Sequence, residues 1–139
     1  MRRRILIVED SKADLFLIRE AVASAKVDAD LHVVHDGEQA VQIFEQLEHN
    51  TGLPCPDLVL IDLNLPKKDG AEVLRCLRNT NACKSALVLI VTSSDSASDR
   101  ESVSALGLSG YFRKPSAYAE FMQLGPIVRD LLASLDNAQ

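Results

Sequence analysis

Five short runs of mostly apolar residues alternate along the chain with segments whose apolar residues recur at helical spacing. Continuous apolar runs of this length are typical of strands that are buried on both faces of a sheet. The predicted strands are residues 5–8, 31–34, 58–61, 87–91 and 111–112. Such a strand–helix repeat specifies an α/β fold, with a parallel sheet, helices on both of its faces and right-handed crossovers.

The first and last helical segments carry the clearest end signals. Ser11 is a candidate N-cap for the first, because a serine hydroxyl can accept a hydrogen bond from the backbone N–H groups that begin a helix. The last segment extends from residue 117 to residue 135 and contains Pro126. Proline lacks an N–H and clashes with the preceding turn, so we predict a kink or a break near Gly125 and Pro126.

The size of the chain fits one domain. It has 139 residues, of which 47% are hydrophobic, and this is enough apolar material for a core of its own. We predict a single domain over residues 1–139 without an output domain. A formal charge of −5 argues against nucleic-acid binding. Since no apolar stretch is long enough to cross a membrane, we predict a cytoplasmic protein that does not bind membranes.

The cysteines and histidines give no sign of a metal site. Cys55, Cys76 and Cys83 are odd in number and contain no C-x-x-C pair. We interpret them as ordinary core or surface residues of a cytoplasmic protein. The three histidines lack metal-ligand spacing as well, so surface or strand-end positions are expected for them.

Polar residues stand at the carboxyl ends of four predicted strands, which is where parallel sheets bind ligands. Glu9 and Asp10 follow the first strand, Asp62 follows the third, and Thr92 and Lys114 end the fourth and fifth. Each residue alone is commonly a cap or a turn residue. Together, three carboxylates would repel one another, and a divalent cation such as Mg²⁺ would relieve that repulsion. The combination with a lysine suits phosphoryl transfer.

Four segments of the chain resemble the receiver domains of bacterial two-component signalling. They are ILIVEDS, DLVLIDLNLPKKDG, VLIVTSS and GYFRKP. The resemblance covers nearly the whole chain and implies a flavodoxin-like sheet of five parallel strands in the order 2-1-3-4-5. It also implies a single-domain response regulator that takes a phosphoryl group from the phosphohistidine of a sensor histidine kinase, with Mg²⁺ or Mn²⁺ as cofactor. Weak autodephosphorylation, not metabolic catalysis, is the chemistry that it implies.

The resemblance implies a role for each residue of the polar cluster. Asp62 is the implied phosphoacceptor, and Lys114 pairs with its carboxylate and later with the phosphate. The implied metal ligands are Glu9, Asp10, Asp62 and the backbone carbonyl of Asn64. Thr92 and Tyr111 are the implied switch pair, and Thr92 would also hydrogen-bond a phosphoryl oxygen. Phosphorylation would then change the surface formed by the fourth helix, the fifth strand and the last helix.

The finer resemblance concerns partners. The opening EDSKADLFLIREA and the residues of DLNLPKKDG are closest to stand-alone receivers encoded with phytochrome-type histidine kinases. The downstream partner is not indicated. Without an output domain, a homodimer through the fourth helix, fifth strand and last helix is one expectation, prompted by the apolar residues Tyr118, Phe121, Met122 and Leu132. The other interpretation is that this stripe packs on the sheet, and both remain open.

Three rival classes fit less well. A flavodoxin-like cofactor binder would need a loop rich in Ser, Thr and Gly after the first strand, whereas Glu9 and Asp10 would repel a phosphate. A phosphohydrolase with an aspartyl nucleophile usually needs D-x-D, and Asp62 to Asn64 gives D-x-N. A degenerate receiver that binds partners without phosphorylation is opposed by the intact cluster, although the sequence leaves it open. No nucleotide-binding glycine motif is present.

Overall fold

The computed structural model describes residues 2–49 and 54–136. Within them the strands are β1 Arg3–Val8, β2 Ala29–Val34, β3 Leu58–Ile61, β4 Leu87–Thr92 and β5 Gly110–Arg113. The helices are α1 Lys12–Ser24, α2 Gly37–His49, α3 Gly70–Asn79, α4 Ala97–Ser104, α5 Tyr118–Phe121 and α6 Leu124–Asp136. The strands form a single parallel sheet in the order β2-β1-β3-β4-β5, which confirms the predicted fold and topology.

The register of the sheet brings the strand ends together. Val8 of β1 pairs with Val34 of β2 on one side and with Ile61 of β3 on the other, and Ile61 pairs with Ile90 of β4. Thr92, at the end of β4, pairs with Arg113 in β5. The residues that follow these positions therefore emerge at the same end of the sheet. We call it the carboxyl end, and the opposite end, where the strands begin, the amino end.

Side chains alternate between two cores because successive strand residues point to opposite faces. Leu6 and Val8 of β1 contact the core under α2, α3 and α4, in which Phe44 is fully buried. Ile5 and Ile7 contact the core under α1, α5 and α6, which contains Phe121. Each such side chain stabilises the fold by about 1.5–3 kcal/mol through burial alone. Both faces of the sheet are thus covered, as continuous apolar strands require.

The predicted break in the last helical segment is confirmed. α5 ends at Phe121 and α6 begins at Leu124, so the break lies a few residues before Pro126. Pro126 itself is in the first turn of α6, where its missing N–H leaves no hydrogen bond unmade. A Cβ at Gly125 would overlap the backbone oxygen of Ala21, so glycine allows α6 to lie close against α1.

Most of the apolar stripe in the last segment packs on the sheet. Phe121 and Leu132 are buried in the core, Met122 packs against it, and Tyr118 remains 55% exposed. The structure therefore accounts for the stripe largely without a second copy of the chain. The homodimer stays a prediction.

The interpretation of the cysteines as ordinary core or surface residues is wrong for two of them. Cys55 and Cys83 form a disulfide, with Cα atoms 5.5 Å apart. Their separation of 28 residues gave no local signal, because the fold alone brings the loop before β3 beside the loop before β4. Cys76 is free and half-buried.

The backbone before Pro115 and the lengths of the helices are both ordinary for a globular domain. The peptide bond before Pro115 is trans. Among residues 2–49 and 54–136, the longest helices are too short or too polar to cross a bilayer.

Candidate functional site

Three carboxylates meet at the carboxyl end of the sheet. Glu9, Asp10 and Asp62 each place an oxygen within 4.8 Å of the other two. Glu9 is only 1% exposed and Asp62 is also buried, whereas Asp10 is exposed to solvent. Carboxylate oxygens in this arrangement are the hard ligands that Mg²⁺ and Mn²⁺ prefer, and an exposed third acid leaves room for water and substrate oxygens. The predicted acidic cluster is therefore assembled by the fold.

Backbone N–H groups fix two of these acids. The Ser11 N–H donates to Glu9 Oε2 at 3.1 Å, and the Asn64 N–H donates to Asp62 Oδ1 at 3.0 Å. The loop after Asp62 also returns closely beneath it, since the Gly70 N–H donates to the Leu63 oxygen at 3.1 Å. A Cβ at Gly70 would overlap the backbone oxygen of Asp62, so glycine is required for this approach. The carboxylate of Asp62 is consequently held in one orientation.

Lys114 lies at the centre of the site. Its Nζ is 2.7 Å from Glu9 Oε1, 2.7 Å from Asp14 Oδ2 and 2.8 Å from Asp62 Oδ2. An ammonium has three N–H donors, and all three are used here. The side chain is only 6% exposed, so the charge is shielded from water and depends on these acids. The predicted pairing of Lys114 with Asp62 is present.

Asp14 also belongs to this site, although it was not predicted from the sequence. It lies in the first turn of α1, where its backbone N–H donates to the Ser11 hydroxyl at 3.2 Å. Ser11 is thus the N-cap that the sequence predicted. The signal that could have found Asp14 is its spacing, since it lies four residues after Asp10 at the start of a capped helix.

The ionisation of the cluster follows from burial and from Lys114. Burial raises the pKa of Glu9 to about 7, against the opposing effect of the ammonium. Burial also opposes the charge of Asp62, but hydrogen bonds from Lys114 and from the Asn64 N–H outweigh it and lower the pKa of Asp62. Hydrogen bonds to Asp14, Asp62 and Glu9 hold the pKa of Lys114 well above its ordinary value despite burial. Asp62 is therefore the ionised carboxylate at neutral pH.

The two predicted switch residues are connected through Ser94. Thr92 is fully buried, and its hydroxyl oxygen accepts a hydrogen bond from the Ser94 N–H at 3.4 Å. Tyr111 is half-buried and donates its hydroxyl to the Ser94 backbone oxygen at 2.9 Å. The guanidinium of Arg100, on α4, lies 4.0 Å above the Tyr111 ring. A change at Thr92 can therefore reach the surface of α4 and β5 through neighbouring contacts.

Not every predicted feature of the site is defined. Asn64 contacts Asp62 through its N–H, and the role of its carbonyl as a metal ligand stays a prediction. A cavity of about 470 Å³ lies between β1, β2 and α2, apart from the acidic cluster, and its lining includes Leu31 and Ile43 together with Arg4 and Asp30.

Several known proteins resemble this chain in sequence. The family described as "Response regulator receiver domain" matches residues 5–124. The response regulator Rcp1 of Synechocystis sp. is 40% identical over 95 residues, which are 68% of this chain and 65% of Rcp1. The transcriptional regulatory protein TrcR of Mycobacterium tuberculosis is 31% identical over 86% of this chain, which spans 42% of TrcR. The chain thus covers less than two thirds of these two relatives.

Two solved structures are similar over nearly the full length. The phosphorylated cyanobacterial phytochrome response regulator RcpA gives a TM-score of 0.85 at 32% identity, with 96% of each chain covered. The Mn²⁺-bound form of Rcp1 gives a TM-score of 0.80 at 32% identity, with 92% of each chain covered.

Proposed function

Because the chain belongs to the response regulator receiver domain family, we propose that it is a signalling protein that accepts a phosphoryl group on Asp62. The observation that carries this proposal is the convergence of opposite charges on one carboxylate. Lys114 Nζ lies 2.8 Å from Asp62 Oδ2, while Glu9 and Asp10 approach the same carboxylate. Glu9 is buried as well, but burial raises its pKa, and Asp10 is exposed to solvent.

The reaction requires an ionised carboxylate that faces a phosphodonor. An oxygen of Asp62 attacks the phosphorus of a phosphohistidine in line, so that a P–O bond forms as the P–N bond breaks and the imidazole leaves with the electron pair. The lowered pKa of Asp62 keeps the carboxylate ionised for this attack. Lys114 neutralises negative charge that would otherwise oppose the approach of the phosphoryl oxygens, which is the main contribution a protein makes to such transfers.

The acidic cluster fits a divalent cation. Glu9, Asp10, Asp62 and the backbone carbonyl of Asn64 would hold Mg²⁺ or Mn²⁺, and the cation would supply further neutralisation of the phosphoryl charge. Similar proteins support this assignment, since Rcp1 is known in a Mn²⁺-bound form and the receiver domain of the histidine kinase PA1611 in a magnesium-bound form. The cation would be bound by this chain's own carboxylates, with Asp10 as the exposed ligand.

The proposed phosphodonor is a phytochrome-type sensor histidine kinase. Support comes from similar structures that are described as phytochrome or red-light response regulators, among them RcpA and the response regulator RPA3017 of R. palustris. An autophosphorylated phytochrome-type kinase should transfer its label to this chain faster than a kinase of another sensor class. Equal transfer from both kinases would remove the basis of this assignment.

Other proposals follow from the family. Residues 1–139 act as one receiver domain that signals by non-covalent contact, loses its phosphoryl group by autodephosphorylation, and binds neither nucleic acid nor membranes. Cytoplasmic location stays a prediction. The homodimer is checked by sedimentation of the chain with and without beryllofluoride, a phosphate mimic. Monomers in both states at high protein concentration would count against it.

Labelling with acetyl phosphate tests the acceptor directly. In the presence of Mg²⁺, intact-mass spectrometry should show one added phosphoryl group on the wild type and none on Asp62→Asn. Asp28→Asn is the matched control, because Asp28 is an exposed aspartate that pairs with Arg2 far from the site. Circular dichroism should show that all three proteins are folded. Labelling of Asp62→Asn at the wild-type level would refute the assignment.

A further inference from the structure

The Lys114 ammonium is shared with a carboxylate that lies outside the proposed metal ligands. Asp14 Oδ2 is 2.7 Å from Lys114 Nζ, as close as Glu9 and slightly closer than Asp62. We propose that Asp14 is a positioning residue, which holds Lys114 in place while Asp62 receives the phosphoryl group. This role rests on the proposed function of Asp62 as acceptor.

A positioning residue is needed because the other two partners of Lys114 have competing duties. Glu9 and Asp62 both belong to the acidic cluster that fits a divalent cation. When the phosphoryl group is transferred, the carboxylate of Asp62 becomes an acyl phosphate, so the oxygen that faced Lys114 changes its bonding and its charge. Asp14 belongs neither to this cluster nor to the reacting bond, so its contact with Lys114 can persist throughout the transfer. A long lysine side chain without such a partner would sample several orientations, and misplacement of a catalytic group slows the reaction.

The backbone holds Asp14 in position to do this. Its own N–H donates to the Ser11 hydroxyl at 3.2 Å, and the Leu15 N–H donates to the Ser11 oxygen at 2.9 Å. The Ser11 N–H in turn donates to Glu9 Oε2 at 3.1 Å. One capped helix start therefore fixes both Glu9 and Asp14. Since the Asp14 side chain is only 32% exposed, the pair is partly shielded from water.

If Asp14 acted only through its negative charge, its removal would change the labelling rate of Asp62 in the opposite direction. An additional negative charge beside the acceptor repels an anionic phosphodonor, so removal of that charge would speed the labelling of Asp62. Loss of a positioning contact would slow it. The direction of the change therefore separates the two explanations.

The test compares Asp14→Asn, Asp14→Glu and the wild type. The maximal rate of acetyl phosphate labelling at saturating Mg²⁺ should fall about tenfold in Asp14→Asn. The Mg²⁺ concentration for half-maximal rate should change by less than about twofold, because Asp14 is not a metal ligand. Asp14→Glu should recover part of the rate. Glu20→Gln, which removes an exposed charge from the same helix, should match the wild type.

A second measurement does not depend on labelling. In the unmodified protein, the ¹⁵N resonance of the Lys114 ammonium should be sharp because its protons are held by three acids, and Asp14→Asn should broaden or shift it. Equal or faster labelling of Asp14→Asn, or an unchanged ammonium resonance, overturns the positioning role while Asp62 remains the acceptor. Absence of labelling on the wild type overturns the proposed function itself and this role with it.

Discussion

At the carboxyl end of the sheet, one ammonium lies between three carboxylates. At the amino end, one guanidinium donates to backbone carbonyls and a disulfide joins two loops. The first arrangement depends on ionisation and on any bound cation, whereas the second consists of a covalent bond and of donors whose charge does not change. We therefore expect changes in pH, metal or phosphorylation to act mainly at the carboxyl end, and the amino end to keep its geometry.

The fixed end is organised by Arg78. Its guanidinium donates at 2.7 Å to the oxygens of Leu106, Gly107 and Lys84, and at 2.8 Å to the oxygen of Ala86. These carbonyls belong to the loops before β4 and β5. Since α3 carries Arg78, one side chain ties a helix to the starts of two strands. The planar guanidinium suits this geometry because its donors point in several fixed directions.

Reduction of the disulfide should have the largest effect on stability. The Cys55–Cys83 bond closes a loop of 28 residues, and loss of such a constraint costs about 3–4 kcal/mol of unfolding free energy by the chain-entropy account. Urea denaturation with and without a reductant measures the loss. The unfolding free energy of Cys55→Ser should not change with reductant, and that of Cys76→Ser should fall as in the wild type. If reduction leaves the unfolding free energy unchanged, the amino end does not depend on this bond.

Removal of the guanidinium should have the next largest effect. Arg78→Ala leaves carbonyls without their charged donor, and we expect a loss of about 2–3 kcal/mol. Arg78→Lys should recover only part of it, because one ammonium cannot reach every carbonyl. Arg75→Ala is the matched control, since Arg75 is exposed on the same helix and should change stability by less than about 0.5 kcal/mol. A loss as small as that of Arg75→Ala would show that these hydrogen bonds contribute little.

A rise in pH should lower the stability of the protein through the carboxyl end of the sheet. Burial raises the pKa of Glu9 from an ordinary 4.5 to about 7, so the folded state binds the proton more tightly than the unfolded state. Without metal, the stability contributed by Glu9 is complete below about pH 4.5 and is lost as the pH rises toward 7, on the order of 2 kcal/mol. The lowered pKa of Asp62 acts in the opposite direction, but its contribution is lost only as the pH falls below its ordinary value of 3.8.

Denaturation curves between pH 5 and pH 7 test this difference. The fall of the unfolding free energy with pH should be absent in Glu9→Gln. Mg²⁺ should reduce it in the wild type, because the cation favours the ionised carboxylate. Arg78→Ala should lower stability equally at both pH values, because the guanidinium of Arg78 is charged at both. A wild-type curve that is flat or rises between these pH values would contradict the account of Glu9.

The smallest effect concerns the link from Thr92 to Tyr111. Both side chains contact Ser94, so the Thr92 hydroxyl should couple the phosphoryl site to the Tyr111 ring by an energy on the order of 1 kcal/mol. A fluorine label on Tyr111 reports the coupling by NMR when beryllofluoride is added. Thr92→Ala should still bind the mimic but show a weaker Tyr111 response, and Thr92→Ser should preserve it. An identical response in Thr92→Ala would mean that the coupling follows another route.

The parts that sequence could predict depend on local pattern. Buried parallel strands need continuous apolar runs. The sequence therefore located each strand, and no predicted end differs from the observed end by more than two residues. Parallel strands also place their carboxyl ends together. For that reason Glu9, Asp10, Asp62, Thr92 and Lys114 could be assigned to one site before any distance was known. The cap at Ser11 and the break before Pro126 were likewise visible, because both follow from the chemistry of single residues.

Other contacts were decided only by tertiary structure. Asp14 reaches Lys114 across 100 residues, and Cys55 meets Cys83 across 28. Arg78 finds its carbonyls in two separate loops. Most of these partners are far apart in the sequence and none share a strand register, so spacing alone could not pair them. Their geometry is fixed by how the loops at each end of the sheet pack against one another, and that packing exists only once the whole sheet has formed.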